Sequence, residues 1–250
     1  MEQARPTRLH PGQRADFTVT KWSVVRRAGD PSSPESAAAL EALCRTYWYP
    51  IYAFLRREGR SAEDAKDLTQ EFFYQLLRKN AFAIADPNKG RFRNFLLRAL
   101  KNFLADEWDK ANAQKRGGDF DIISLDQLNP EERYILEPVT SLTPEMLFQR
   151  KWAGIVVDHA LRRVKKETAA SGKGRMFDAL KVFIINEPEK ADYKRLSESL
   201  KMSPNTIATN VKRLRSRFGE LLRAEVAETV DNPEDVEDEL RAVLSAITSS

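Results

Sequence analysis

The chain has 250 residues, with 41 Lys and Arg against 37 Asp and Glu, a net charge of +4 and a pI near 9.1. That length allows one large or two small domains, and a mean hydropathy of −0.54 goes with no run near the roughly 18 apolar residues of a membrane span and no N-terminal apolar signal core, so a cytoplasmic protein is expected. The single cysteine, Cys44, rules out an internal disulfide framework, and the distant His10 and His159 argue against a zinc site or a His-based triad, so neither metal nor cofactor is expected.

Residues 1–20, with Pro6, Pro11, Gly12 and scattered arginines, read as a disordered arm. A first helical domain is expected over 21–116, and residues 1–116 carry a net charge of +7. Its first helix spans Ser36 to Arg57 and turns Leu40, Leu43, Tyr47, Ile51, Phe54 and Leu55 inward. Pro50 predicts a kink or break, and Gly59 ends the helix. A second helix starts at Ser61-Ala-Glu-Asp64, a capping-box-like sequence. Its buried arc is Ala65, Leu68, Phe72, Phe73, Leu76 and Leu77. Asp64, Asp67 and Glu71 fall close together on the opposite side. Geometry alone favours an ordinary solvated face for these carboxylates over a docking stripe for a basic partner.

A third helix is predicted from Gly90 to Arg116. Phe92, Phe95, Leu96, Ala99, Leu100, Phe103 and Leu104 face inward. Arg91, Arg93, Asn94, Arg98, Lys101, Trp108, Lys115 and Arg116 remain outside. Cations beside an aromatic ring suit single-stranded nucleic acid, because cations track phosphates while rings stack on unpaired bases. Residues 117–145 then change character. Gly117-Gly118 stops the helix, Pro130, Pro138 and Pro144 punctuate, and the net charge falls to −6, which reads as an acidic interdomain linker.

The block 146–224 has a net charge of +10. Helices are predicted over Met146–Glu167 and Met176–Ile185. A shorter one carries Tyr193, Leu196 and Leu200. After the turn Lys201-Met202-Ser203, Ser203 caps a helix that has Pro204 at its first position. Ile207, Val211, Leu214, Phe218 and Leu221 form its apolar stripe. Asn205, Thr206, Thr209, Asn210, Lys212, Arg213 and Arg217 lie opposite or at the edge, the kind of side chains that read base edges. This is helix-turn-helix spacing. Lys201 occupies a turn position that favours glycine. The final stretch, 225–250, is an acidic extension of net charge −7. Val236, Leu240, Val243, Leu244 and Ile247 recur there at helical spacing, so the tail is expected to dock on something. No strand-like alternation stands out, and the fold class read from the chain is all-α, with two helical domains.

Three segments in this order give the chain a resemblance. Asp64-Ala-Lys-Asp-Leu-Thr-Gln-Glu-Phe-Phe73 resembles the acidic helix of sigma region 2, Phe92–Phe103 the adjoining promoter-melting helix, and Tyr193–Arg217 the helix-turn-helix of region 4. The chain therefore resembles a bacterial RNA polymerase sigma factor of the extracytoplasmic-function (ECF) type. The resemblance implies that Asp64, Asp67 and Glu71 dock on the clamp helices of the polymerase's largest subunit. It also implies that the connector from Phe82 to Arg93 and the helix after it capture unpaired bases of the −10 element. The second helix of the helix-turn-helix would read the −35 element as duplex. The linker would thread toward the RNA exit path. Implied partners are core RNA polymerase and promoter DNA, with an anti-sigma factor or a regulatory kinase as candidate controllers. Thr69, beside the acidic stripe, is a candidate phosphorylation site on charge grounds. Lys66, Ala208 and Asn210 depart from the family pattern. Catalysis would belong to the polymerase, so the chain is not expected to be an enzyme. The alternative reading is a polymerase-independent helix-turn-helix regulator, in which the acidic stripe has no purpose.

Overall fold

A computed structural model describes residues 21–113, 130–135 and 141–248. The expected arm 1–20 and most of the expected linker lie outside them. Every regular element among the described residues is helical. The N-terminal block holds α1 (Trp22–Gly29), α2 (Ser36–Arg57), α3 (Ala62–Arg78) and α4 (Phe92–Ala113). A short α5 (Pro130–Ile135) follows. The C-terminal block holds α6 (Pro144–Ala170), α7 (Gly174–Leu180), α8 (Lys190–Leu200) and α9 (Pro204–Ala227), and α10 (Val236–Thr248) closes the chain.

Local chemistry sets most of these boundaries. The Ser61 hydroxyl accepts from the Asp64 amide at 3.0 Å and starts α3. Thr143 does the same for Met146 at the head of α6, with Pro144 at the first position. Ser203 accepts from the Thr206 amide and starts α9 ahead of Pro204. Gly59 at φ +88 ends α2, and Gly90 at φ +107 turns the chain into α4. Gly29 serves a different need. A Cβ there would lie 2.7 Å from the backbone nitrogen of Ala83, so only glycine lets the end of α1 approach that strand of connector.

A break at Pro50 does not occur, and α2 runs through it. Proline removes one intrahelical bond, but Ile51, Tyr52, Ala53, Phe54 and Leu55 just after it are all buried. Packing holds the helix where propensity would break it.

Helix α2 is the hub. It packs against α1, α3 and α6, while α6 in turn packs against α7, α9 and α10. The Phe92 ring meets Trp22, Tyr47 and Phe82, with centroids 5.7 to 6.1 Å away. Tyr47 also stacks on Phe148 of α6 at 6.3 Å. The buried side chains make one contiguous cluster from Trp22 to Val243. The two blocks read from the sequence as separate domains therefore meet in a shared core. What drives them together is apolar area on both faces of α2, more than its own block covers.

Two further expectations change. The helix α1 was not foreseen, yet Trp22, Val24, Val25 and Ala28 are all buried. The described part of the linker is fastened to α2, which the sequence reading does not foresee. Arg56 donates from Nε and Nη2 to the Glu131 carboxylate at 2.8 and 2.7 Å, and the Tyr52 hydroxyl donates to it at 2.5 Å. The Arg56 guanidinium holds the Glu131 carboxyl below the usual carboxylate range. Arg57 Nε donates to the Leu142 carbonyl at 2.8 Å, which ties down the far end of the segment as well.

Candidate polymerase and nucleic-acid interfaces

The acidic face of α3 is built by helical spacing over a buried arc. Ala65, Phe72, Phe73 and Leu76 face the core. Asp64 and Asp67 are exposed, and Glu71 is half-buried. Asp64 accepts from the Ser61 hydroxyl at 2.8 Å, and Glu71 accepts from Gln75 at 3.2 Å. No described cation forms an ion pair with any of the three. Thr69 lies on the other side. It is fully buried, and its hydroxyl donates to the Ala65 carbonyl at 2.6 Å. The phosphorylation reading of Thr69 is therefore corrected: i−4 back-bonding inside the core hides the hydroxyl.

Helix α4 divides the residues expected to meet single-stranded DNA. Asn94, Arg98, Lys101 and Trp108 are exposed along one side, with Trp108 at 65%. Lys101 reaches Glu145 at the start of α6 at 2.6 Å and holds that carboxyl below its usual range. Arg93 does not join them. It is 5% exposed, and its Nε donates to Gln149 at 2.7 Å. Its two terminal nitrogens donate to the Glu239 carboxylate of α10. Its guanidinium also lies 4.1 Å from the Trp152 ring centroid. Half-buried Arg91 pairs with the same Glu239. Arg93 as an outward DNA contact is thus corrected for this arrangement, because it sits at i−3 and i−7 from buried Leu96 and Leu100 and shares their side of the helix. Lys115 and Arg116 lie outside the described residues.

The pair α8 and α9 meets across Lys201–Ser203. Lys201 takes the left-handed conformation at φ 53, ψ 44, as the spacing requires. Leu196, Ile207, Val211 and Leu214 are buried beneath. On the outer face Asn205, Thr206, Thr209, Lys212 and Arg213 are exposed, and Asn210 is half-buried. Several are already engaged locally. The Thr206 hydroxyl lies 2.8 Å from that of Ser203, and Thr209 donates to the Asn205 carbonyl at 2.9 Å. Arg217 donates to Glu167 at 2.7 and 2.9 Å and to Glu220 at 2.6 Å. That bidentate contact holds the Glu167 carboxyl below its usual range. Lys212 and Arg213 carry no described ion pair and are the readiest cations of this face.

Behind α9, Glu225 is buried between His159 Nδ1 at 2.9 Å and Arg163 Nη1 at 2.5 Å. Burial pushes its carboxyl up, but the two α6 partners outweigh burial and leave it below the usual range. This cluster fastens α9 to α6 and fixes the angle of the outer face. Sequence reading did not identify it.

The tail docks, as its apolar spacing suggested. Val243 is fully buried, and Val236, Leu240, Ala246 and Ile247 are partly so, while Leu244 stays exposed. It lies on α6 and α9, with Arg223 of α9 paired to Glu237. A cavity of about 240 Å³ remains between α4, α6 and α10. Among the described residues no group of three His, Cys, Asp or Glu side chains could hold a metal ion, and no helix is long and apolar enough to cross a membrane.

Comparison with known families places one segment. The family model for Sigma-70 region 2 matches residues 43–114, which run from within α2 through α3 and α4. No curated protein and no solved structure matches the chain.

Proposed function

We propose that this chain, whose residues 43–114 match the Sigma-70 region 2 family model, is a sigma-70 family sigma factor of the ECF type that directs core RNA polymerase to specific promoters. Sigma factors of this family are not enzymes; this one works by binding, and the polymerase supplies the catalysis. Its place of work is the cytoplasm. Asp64, Asp67 and Glu71 of α3 dock on the clamp helices of the polymerase. The exposed side of α4, with Asn94, Arg98, Lys101 and Trp108, engages the unpaired −10 element, and Lys115 and Arg116 are assigned to the same role. Arg91 and Arg93 join it when they are released from Glu239. The helix-turn-helix formed by α8 and α9 reads duplex −35 DNA through Asn205, Thr206, Thr209, Asn210, Lys212, Arg213 and Arg217. An anti-sigma factor or a kinase remains a candidate controller.

The observation that carries this reading is the coincidence of the region 2 match with an exposed acidic face whose carboxylates form no ion pair among the described residues. Carboxylates left unpaired on a chain of net charge +4 gain little from their own fold and suit a basic partner. The test is charge reversal of Asp64, Asp67 and Glu71 to Lys, followed by gel filtration with bacterial core polymerase. Loss of co-elution with an unchanged helical circular dichroism spectrum is expected. Undiminished co-elution would transfer the chain to the polymerase-independent regulators.

A further inference from the structure

The C-terminal helix and the N-terminus of α4 share a buried charge cluster. Glu239 is completely buried. Its only described cationic partners are Arg91 and Arg93, about 150 positions away in the chain. A carboxylate removed from water is costly unless well paired, and so is an arginine. Here two arginines share one carboxylate, with Trp152 and Gln149 of α6 completing the cage. A second contact, Arg223 to Glu237, ties α10 to α9.

We propose that α10 is an autoinhibitory latch: Glu239 occupies the two arginines that a nucleic-acid phosphate would otherwise engage, and α10 must leave before region 2 presents its full basic surface. This rests on the proposed −10 role of α4.

Three observations carry it. The first is chemical equivalence. A carboxylate that takes two guanidinium groups in a fork is the intramolecular counterpart of a phosphate taking the same fork. The second is composition. The tail is the most acidic segment of the chain, with net charge −7 over 225–250, and it is seated against blocks of net charge +7 and +10. The third is the device itself. α10 has 13 residues, and a helix that short is marginal in water without a docking surface. Undocking therefore melts it, and the latch has two states, docked helix and free acidic tail. The short connector from Ala227 to Val236 keeps the free tail at a high effective concentration, so only a polyanion that makes several phosphate contacts displaces it.

The test uses the full-length chain, Val243→Asp, Glu239→Gln, and a chain ending at Val230, each with a labelled single-stranded oligonucleotide of mixed sequence. Val243→Asp places a charge at the fully buried anchor and releases α10. Roughly tenfold tighter binding is expected, with a log affinity against log salt slope steeper by about 1 to 1.5, the signature of two more phosphate contacts on a single strand. Glu239→Gln should fall between. Adding Arg91→Ala and Arg93→Ala to the chain ending at Val230 should cancel its gain. A native-state measurement covers the case in which the released forms are unstable. In the wild-type chain, saturating oligonucleotide should raise amide exchange across 236–248. Unchanged affinity and slope in Val243→Asp with α10 exposed, or full protection of 236–248 at saturation, would overturn the latch. Core-polymerase co-elution is scored separately. Its absence in the wild-type chain, with the affinity gain intact, refutes the sigma reading and the −10 role, and leaves only the masking of Arg91 and Arg93 from nucleic acid by α10.

Discussion

Phe148 belongs to α6, yet its ring is stacked on Tyr47 of α2 at 6.3 Å and 18°, and the side chain is fully buried. Phe148→Ala therefore tests whether the two blocks share one core. A buried phenylalanine removes about 200 Å² from water. At about 25 cal/mol per Å², that gives an upper bound of about 5 kcal/mol. Partial collapse of the site and the measured range for Phe→Ala changes bring the expected loss to about 4 kcal/mol. For a chain of this size each kcal/mol lowers Tm by about 2–4 °C, so a drop of about 8–16 °C is expected. Urea unfolding followed by circular dichroism and by tryptophan fluorescence should shift to a lower midpoint together. Native-state hydrogen exchange should show amides of both α2 and α6 losing protection. A loss under about 1 kcal/mol, or full wild-type protection in α2, would refute the shared core.

Other perturbations read other parts of the structure. Lys201→Gly relieves a left-handed backbone at φ 53 and should stabilise the chain by about 1 kcal/mol, measured as a higher urea midpoint without a change in slope. Acid should loosen the joints made by Glu131, Glu167 and Glu225, whose carboxyl groups all lie below their unfolded value. A depressed carboxyl contributes its stability above the unfolded pKa of about 4.3 and loses it as pH falls through the lower folded value. Thermal midpoints should therefore hold above about pH 5 as far as these three groups decide it, and fall below about pH 4.3; constant midpoints down to pH 3 would contradict the pairing. Arg213→Ala should cost about 1–3 kcal/mol on one preferred duplex if the side chain reads a base. A loss equal on every duplex sequence, measured by anisotropy, would assign Arg213 to phosphate alone.

Much of the fold was legible because apolar residues recur at helical spacing between strong caps. The helix Ser36–Arg57 is legible in the sequence, and Ser61 and Ser203 cap the helices they are expected to start, while the cap at Thr143 begins α6 two residues ahead of the predicted Met146. The turn at Lys201 was legible too, since spacing demanded a left-handed residue whatever its identity. Helix α1 was not. It has only 8 residues, includes adjacent β-branched valines, and has no side-chain cap, so its stability comes from burial of Trp22 and Val25 against distant helices. The acidic linker hid its docking for the same reason, because Tyr52 and Arg56 lie about 75 positions from Glu131. Arg93 was misplaced by chemistry. An arginine is expected to face water, but the spacing of Arg93 from Leu96 and Leu100 puts it beside the buried stripe. The sequence showed that the tail was amphipathic, but nothing local named Arg91 and Arg93 as partners of Glu239.

The most direct test of the central claim is transcription itself. Core polymerase from the same source, with and without this chain, is incubated on fragmented genomic DNA, and the 5′ ends of the transcripts are mapped. The account predicts discrete start sites that appear only with the chain, share upstream sequence, and vanish when Asp64, Asp67 and Glu71 are all changed to Lys. Start sites identical with and without the chain would contradict it.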